Sequence, residues 1–247
     1  MRVLVVTAVA AEADAVAAGL GRYAASGVRE LTGGYEMTGH AQYTPRPGSV
    51  QIPVVDVLAG GVGPTAAAVA TATALAASPY DPPYHLVVSA GIGGGFLPHA
   101  PIGSLVVADS MIAADLGADS PDGFAAVEEL GFGRSVHRPP AELAARMAAV
   151  LNAGPALLAP VLTVSTATGT AARAAELTAR HPRAAAEAME GYGVAEAAAV
   201  HGVPCTEVRA ISNAVGPRDR PSWRIGQALE SLRNAFTLLT PVFEEPS

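Results

Sequence analysis

Short runs of β-branched and aliphatic residues alternate along the chain with longer alanine-rich stretches. The runs at residues 3–6, 52–58, 86–89, 105–108, 161–165, 184–188 and 206–211 predict strands. The stretches at 11–18, 64–77, 141–151, 171–180, 194–200 and 223–239 predict helices. Pro64 suits the first turn of its helix, where a missing N–H costs nothing. Strand and helix in alternation imply an α/β domain built on one central sheet. Segments 24–49 and 116–140 are rich in Gly, Pro and charge and read as loops or insertions over a site. With no repeat and no convincing linker, the 247 residues are expected to form one domain.

Half of the residues are hydrophobic and 15% are charged, which excludes wholesale disorder. A net charge of -7 argues against nucleic-acid backbones and anionic membrane surfaces as main partners. Three stretches lack Asp, Glu, Lys and Arg, but each is broken by Gly and Pro, so none predicts a spanning helix. Neither does the start of the chain predict a secretory signal, because Glu12 and Asp14 follow the first apolar run too soon. All 15 basic residues are arginines. Without lysine there is no P-loop, no pyridoxal Schiff base and no lysine general base. The single cysteine, Cys205, permits no internal disulfide and fits a reducing cytoplasm.

Several constellations could carry chemistry. Gly61-Val62-Gly63-Pro64-Thr65-Ala66 fits a dinucleotide fingerprint, but it follows the second predicted strand and lacks the acid that should close a later strand. A tight turn with close helix–sheet packing is the better reading. The cluster Gly91-Ile92-Gly93-Gly94-Gly95 leaves room for a ligand beside a strand's carboxyl end. The six histidines form no metal-ligand spacing, and no G-x-S-x-G elbow is present, so neither a metal nor a serine nucleophile is expected. Glu12 and Glu190 each stand where a predicted strand gives way to a helix, where an acid also favours the helix dipole. Asn213 closes the last apolar strand, where turn formation would equally explain it. All three fall at carboxyl ends of predicted strands, which gathers them along one edge of the sheet.

At these residues the sequence resembles the nucleoside phosphorylase superfamily, in particular its hydrolase branch of methylthioadenosine/S-adenosylhomocysteine nucleosidases and futalosine hydrolases. The matching blocks run in order: Val5-Val6-Thr7-Ala8-Val9-Ala10-Ala11-Glu12, Gly61-Val62-Gly63, Ser89-Ala90-Gly91, Ile102 to Asp109, Met189-Glu190, and Arg209-Ala210-Ile211-Ser212-Asn213. The resemblance implies a mixed, twisted sheet flanked by helices, in a homodimer or higher oligomer, acting on a small nucleoside without metal or other cofactor. It makes Glu12 the carboxylate that activates water, Met189 the packing surface for the sugar, and Glu190 the acceptor of its hydroxyls. It sets Ser89, Ala90 and Gly91 along the purine and ribose pockets, and Ser212 beside the base.

Two departures sharpen the expectation. Ala188 stands where adenine-directed members carry the first glutamate of Glu-Met-Glu, and Asn213 stands where they carry aspartate. An amide donates to O6 or N7 of a 6-oxopurine, which a carboxylate does not. With Val215 to Arg220 and Trp223 after it, Asn213 is similar to the futalosine hydrolases, whose substrate is an inosine bearing a carboxyphenyl ketone at its 5′ end. Arg218 and Arg220 are the candidates to meet that carboxylate. The rivals are a methylthioadenosine-type nucleosidase, a purine nucleoside phosphorylase, and an inactive nucleoside-binding protein of the same fold.

Overall fold

The computed structural model describes residues 1–41, 54–78, 84–151 and 156–244. In chain order the strands are β1 (Arg2–Thr7), β2 (Ala24–Leu31), β3 (Tyr35–Ala41), β4 (Val54–Ala59), β5 (Leu86–Gly95), β6 (Leu105–Ala113), β7 (Gly117–Ser120), β8 (Gly123–Ala126), β9 (Val136–His137), β10 (Ala156–Thr163), β11 (Ala186–Ala188) and β12 (Cys205–Ala214). The helices are α1 (Ala10–Gly19), α2 (Pro64–Ala76), α3 (Ala141–Leu151), α4 (Ala171–Arg180), α5 (Gly191–Val200) and α6 (Ile225–Glu244).

The unbroken aliphatic run of β1 follows from burial of both its faces. Leu4 and Val6 pack with Ala67 and Ala70 of α2 and with Val194 and Ala198 of α5. Val3 and Val5, alternating with them, pack with Val16 of α1, Met147 of α3, and Leu232 and Phe236 of α6. Side chains alternate between faces along a strand, so one aliphatic run serves two helical layers. The alanine-rich sequence brings α2 and α5 close: a Cβ on Gly193 would stand 2.0 Å from the Pro64 carbonyl oxygen.

The main sheet runs β11-β10-β6-β12-β5-β1-β4-β3-β2, with β9 added beside β6. It is mixed: β4, β1, β5 and β12 are parallel in turn, whereas β12 meets β6 antiparallel. β11 pairs with both β10 and the far end of β5, so this side of the sheet curls back on itself. The curl brings the carboxyl ends of β1, β5, β11 and β12 around one space.

The segments expected to be loops are only partly so. β2 and β3 form an antiparallel hairpin that extends the sheet beyond β4. Its turn uses Gly33 and Gly34 at φ of 89° and 77°, a conformation glycine adopts without steric cost. β2 is exposed along nearly all its length, so it lacks the apolar run that marks the inner strands. Residues 42–49 of that segment, and the first two of the expected strand 52–58, lie outside the described residues. Within 116–140, β7 and β8 make a separate small hairpin and β9 pairs with β6. Among the described residues of both segments, none lines the cavity characterised below.

Other boundaries shift for local reasons. β5 runs on through its glycines to Gly95, where an expected strand stopped at Ser89. β10 passes through Pro160 with a register shift at Ala159/Pro160, a bulge that accommodates the missing N–H, and ends before Ser165. α5 begins at Gly191, three residues before the expected helix. α6 begins after Trp223 and continues past Pro241.

Candidate active site

Between the strand ends lies a cavity of about 590 Å³, bounded by Glu12, Met189, Glu190, Ser212 and Asn213, by Ile92 to Gly94, by the loop 167–169, and by residues of 214–223.

Glu12 occupies the third position of α1 and is 4% exposed. The residue before the helix, Val9, has no side-chain acceptor, so Glu12 turns back to satisfy the free N–H groups of the helix start. Its Oε2 accepts from the amides of Ala8 (2.9 Å) and Val9 (3.3 Å), and its Oε1 accepts from Ile92 on β5 (2.9 Å). The helix-start role and the cavity position therefore belong to one carboxylate. Gly91 makes room for it: a Cβ there would come within 2.6 Å of both Glu12 Oε1 and Arg209 Nη1.

Glu190 stands at the N-cap position of α5, but its side chain bonds elsewhere than to that helix. Its Oε1 accepts from the amide of Gly63 (3.2 Å) and its Oε2 from that of Met189 (3.3 Å). The Gly61-Val62-Gly63 turn thus holds a carboxylate, with both glycines at positive φ. Behind Glu190 lies Arg209, 1% exposed, with Nη1 at 3.2 Å from Glu190 Oε2 and Nε at 2.8 Å from Glu207 Oε1. Its Nη2 donates to Ser89 Oγ at 3.0 Å. Burial alone would lower the Arg209 pKa, but Glu207, Glu190 and Glu12 outweigh it and raise it. Burial pushes the Glu207 carboxyl above its usual range, against the pull of Arg209.

A register shift between Ile211 and Asn213 marks a bulge in β12, and it lets the consecutive residues Ser212 and Asn213 both line the cavity. Ser212 Oγ donates to Asn213 Oδ1 at 2.8 Å, and Asn213 Nδ2 donates to the Ala214 carbonyl at 3.0 Å. Across from them Glu187 on β11 also lines the cavity, 7% exposed, its Oε1 accepting from the Thr168 amide at 2.8 Å and its Oε2 from Thr168 Oγ1. Burial raises the Glu187 pKa, and the two Thr168 bonds oppose that rise. Arg218 and Arg220 are exposed at the mouth, with their guanidinium carbons 5.6 and 5.8 Å from the Trp223 ring centroid.

Of the residues expected at the site, Glu12, Met189, Glu190, Ser212, Asn213, Arg218 and Arg220 meet at this cavity. Ser89, Ala90 and Gly91 do not reach its wall. Ser89 and Ala90 are fully buried, and the next residues of β5, from Ile92, form the surface. Sequence reasoning gave no role to Arg209, Glu187, Glu207 or Thr168. The first three are charges inside apolar strands, a visible signal because such groups are almost never buried without partners. Thr168 carries no comparable signal. Among the described residues, no group of three or more His, Cys, Asp or Glu side chains is arranged to hold a metal ion, and no helix is long and apolar enough to cross a membrane.

A family model described as the phosphorylase superfamily matches residues 2–240. The chain is 60% identical over 190 residues to the futalosine hydrolase of Streptomyces coelicolor, covering 76% of this chain and 80% of that protein. It is 44% identical over 238 residues to the futalosine hydrolase of Acidothermus cellulolyticus, covering 96% and 89%. The chain belongs to the phosphorylase superfamily and, within it, to the family of the futalosine hydrolases. In fold it matches the S-adenosylhomocysteine nucleosidase of Streptococcus pyogenes, solved with 5-methylthiotubericidin, at a TM-score of 0.80 and 17% identity over 100% of this chain and 98% of that one.

Proposed function

We propose that this protein hydrolyses the N-ribosidic bond of futalosine, releasing hypoxanthine and dehypoxanthinylfutalosine on the route to menaquinone. One observation carries the reading at the level of the site. Glu12, Met189, Glu190 and Asn213, far apart in sequence, line a single cavity in a chain 60% identical to a futalosine hydrolase.

In this reading a water adds to C1′ of the ribose on the face opposite the base. The bond from C1′ to N9 breaks, its electron pair leaves with the purine, and the proton of the water passes to Glu12 as general base; the purine then takes a proton from solvent to become hypoxanthine, and Glu12 returns its own to solvent. Three amides fix the Glu12 carboxylate, so it needs little reorientation before reaction. Glu190 accepts from the ribose hydroxyls, and its bonds to Gly63 and Met189 and its pairing with Arg209 keep it aimed. Met189 packs on the sugar. Asn213 donates to O6 or N7 and stabilises the charge that develops on the leaving base. Arg218 and Arg220 take the substrate carboxylate at the mouth. The substrate is a small nucleoside, the protein works in the cytoplasm, and a homodimer or higher oligomer is part of the same reading.

The test is purine release from futalosine, inosine and methylthioadenosine by the purified protein. Futalosine should have the highest kcat/KM, and inosine should lose mainly in KM because it lacks the carboxylate. Preference for methylthioadenosine would overturn the assignment.

A further inference from the structure

Glu187 is a buried carboxylate on the cavity wall for which the mechanism above has no use. The sheet register fixes its place. Gly94 of β5 pairs with Glu187 of β11 on one side and with Asn213 of β12 on the other. The two side chains therefore flank a position that has none, about 10 Å apart at their Cα atoms by two strand spacings. A Cβ on Gly94 would stand 2.9 Å from Val215 Cγ2 and 3.3 Å from Asn213 Nδ2, so the missing side chain leaves room for a slot bordered by Val215. Thr168 donates to both oxygens of Glu187 and fixes its direction, yet each carboxylate oxygen retains a further lone pair. One wall of the slot thus presents an acceptor, and the other presents an amide donor.

We propose that Glu187 is a specificity-determining residue: its carboxylate accepts the N1–H that a 6-oxopurine carries, while Asn213 donates to O6 or N7 from across Gly94. A 6-aminopurine has a bare lone pair at N1 and would face Glu187 with acceptor against acceptor. The slot then selects hypoxanthine over adenine from two walls. The proposal rests on the reading that the substrate is a 6-oxopurine nucleoside.

The experiment measures calorimetric binding of hypoxanthine and of 1-methylhypoxanthine, which lacks the N1 proton, alongside kcat/KM for futalosine. The proteins are the wild type, Glu187→Ala, the near-isosteric Glu187→Gln and Thr168→Val. The wild type should prefer hypoxanthine by roughly 10- to 100-fold, the worth of a hydrogen bond to a charged group. In Glu187→Ala, which also gives space to the methyl group, the ratio should collapse to within about threefold of unity, a non-additive cycle. Glu187→Gln should lower it by at least about fivefold, since its amide turns a donor toward N1–H. Thr168→Val removes one of the two bonds that aim Glu187 and keeps the backbone amide, so it should lower the ratio by less than Glu187→Ala does. An unchanged ratio in both Glu187 variants overturns the proposal, as does an equal collapse in Thr168→Val, which would assign the discrimination to the loop. If the wild type cleaves futalosine in that case, only the role of Glu187 falls. If it neither cleaves futalosine nor prefers hypoxanthine, the substrate reading falls as well.

Discussion

Glu12 carries out two tasks with one carboxylate. It closes the open start of α1 through the amides of Ala8 and Val9, and it faces the cavity beside Ile92. Replacing it by Gln keeps the size and one acceptor but removes the base. Glu12→Gln should therefore fold, with a thermal midpoint lowered because its NH2 leaves at least one of these amides without an acceptor, while kcat falls by roughly 10²–10⁴-fold, the usual contribution of general acid–base catalysis. If turnover survives within a few-fold, Glu12 serves only the helix. At this scale the sequence was informative where an acid stood at a strand-to-helix junction, as at Glu12 and Glu190. It was less so for Glu187, held by Thr168 of a loop, and for Arg209, whose partners Ser89 and Glu190 come from other elements.

At the scale of elements, β5 shows why glycine was a sound sign of a site and a poor sign of a loop. Its glycines do not end the strand; they let side chains of neighbouring elements occupy its surface. Gly91 lies between Glu12 and Arg209, and both are immobilised, Glu12 by three amides and Arg209 by Glu207, Glu190 and Ser89. Gly91→Ala places a methyl 2.6 Å from each, so at least one must move. Overpacking of this kind costs about 1–3 kcal/mol of stability, and a displacement near 1 Å at reacting groups costs about 10²-fold in rate. We expect a soluble protein with a lowered midpoint in thermal melts and about a hundredfold loss of kcat. Activity within threefold of wild type would show that the Glu12–Arg209 spacing is not critical. The inner strands were legible because burial on both faces leaves a continuous aliphatic run. The β2–β3 hairpin was not, because β2 is exposed along nearly all its length and β3 buries only Met37 and His40, so neither needs such a run.

The whole molecule settles a question that no single element does: whether water or phosphate takes the ribose. Topology was the least legible layer in the sequence, because the curl from β10 through β11 to β5 depends on pairings between distant segments. That curl decides which charges surround the reacting centre. Glu12 and Glu190 both line the cavity, and the cation nearest them, Arg209, is buried behind Glu190 and paired with Glu207. The cavity-lining arginines, Arg218 and Arg220, stand at the mouth against Trp223. At the glycine turn Pro64 offers no N–H, and the Gly63 amide is already donated to Glu190. A phosphate dianion attacking C1′ would meet two carboxylates with no free cation or amide cradle among these groups, and like charges at close range in a poorly solvated site repel strongly. Neutral water meets no such barrier. Turnover of futalosine in phosphate buffer should therefore yield the free sugar, at a rate matching that in a phosphate-free buffer of equal ionic strength. Sugar 1-phosphate formed in step with purine release would refute this and place the protein's chemistry with the phosphorylases of its superfamily.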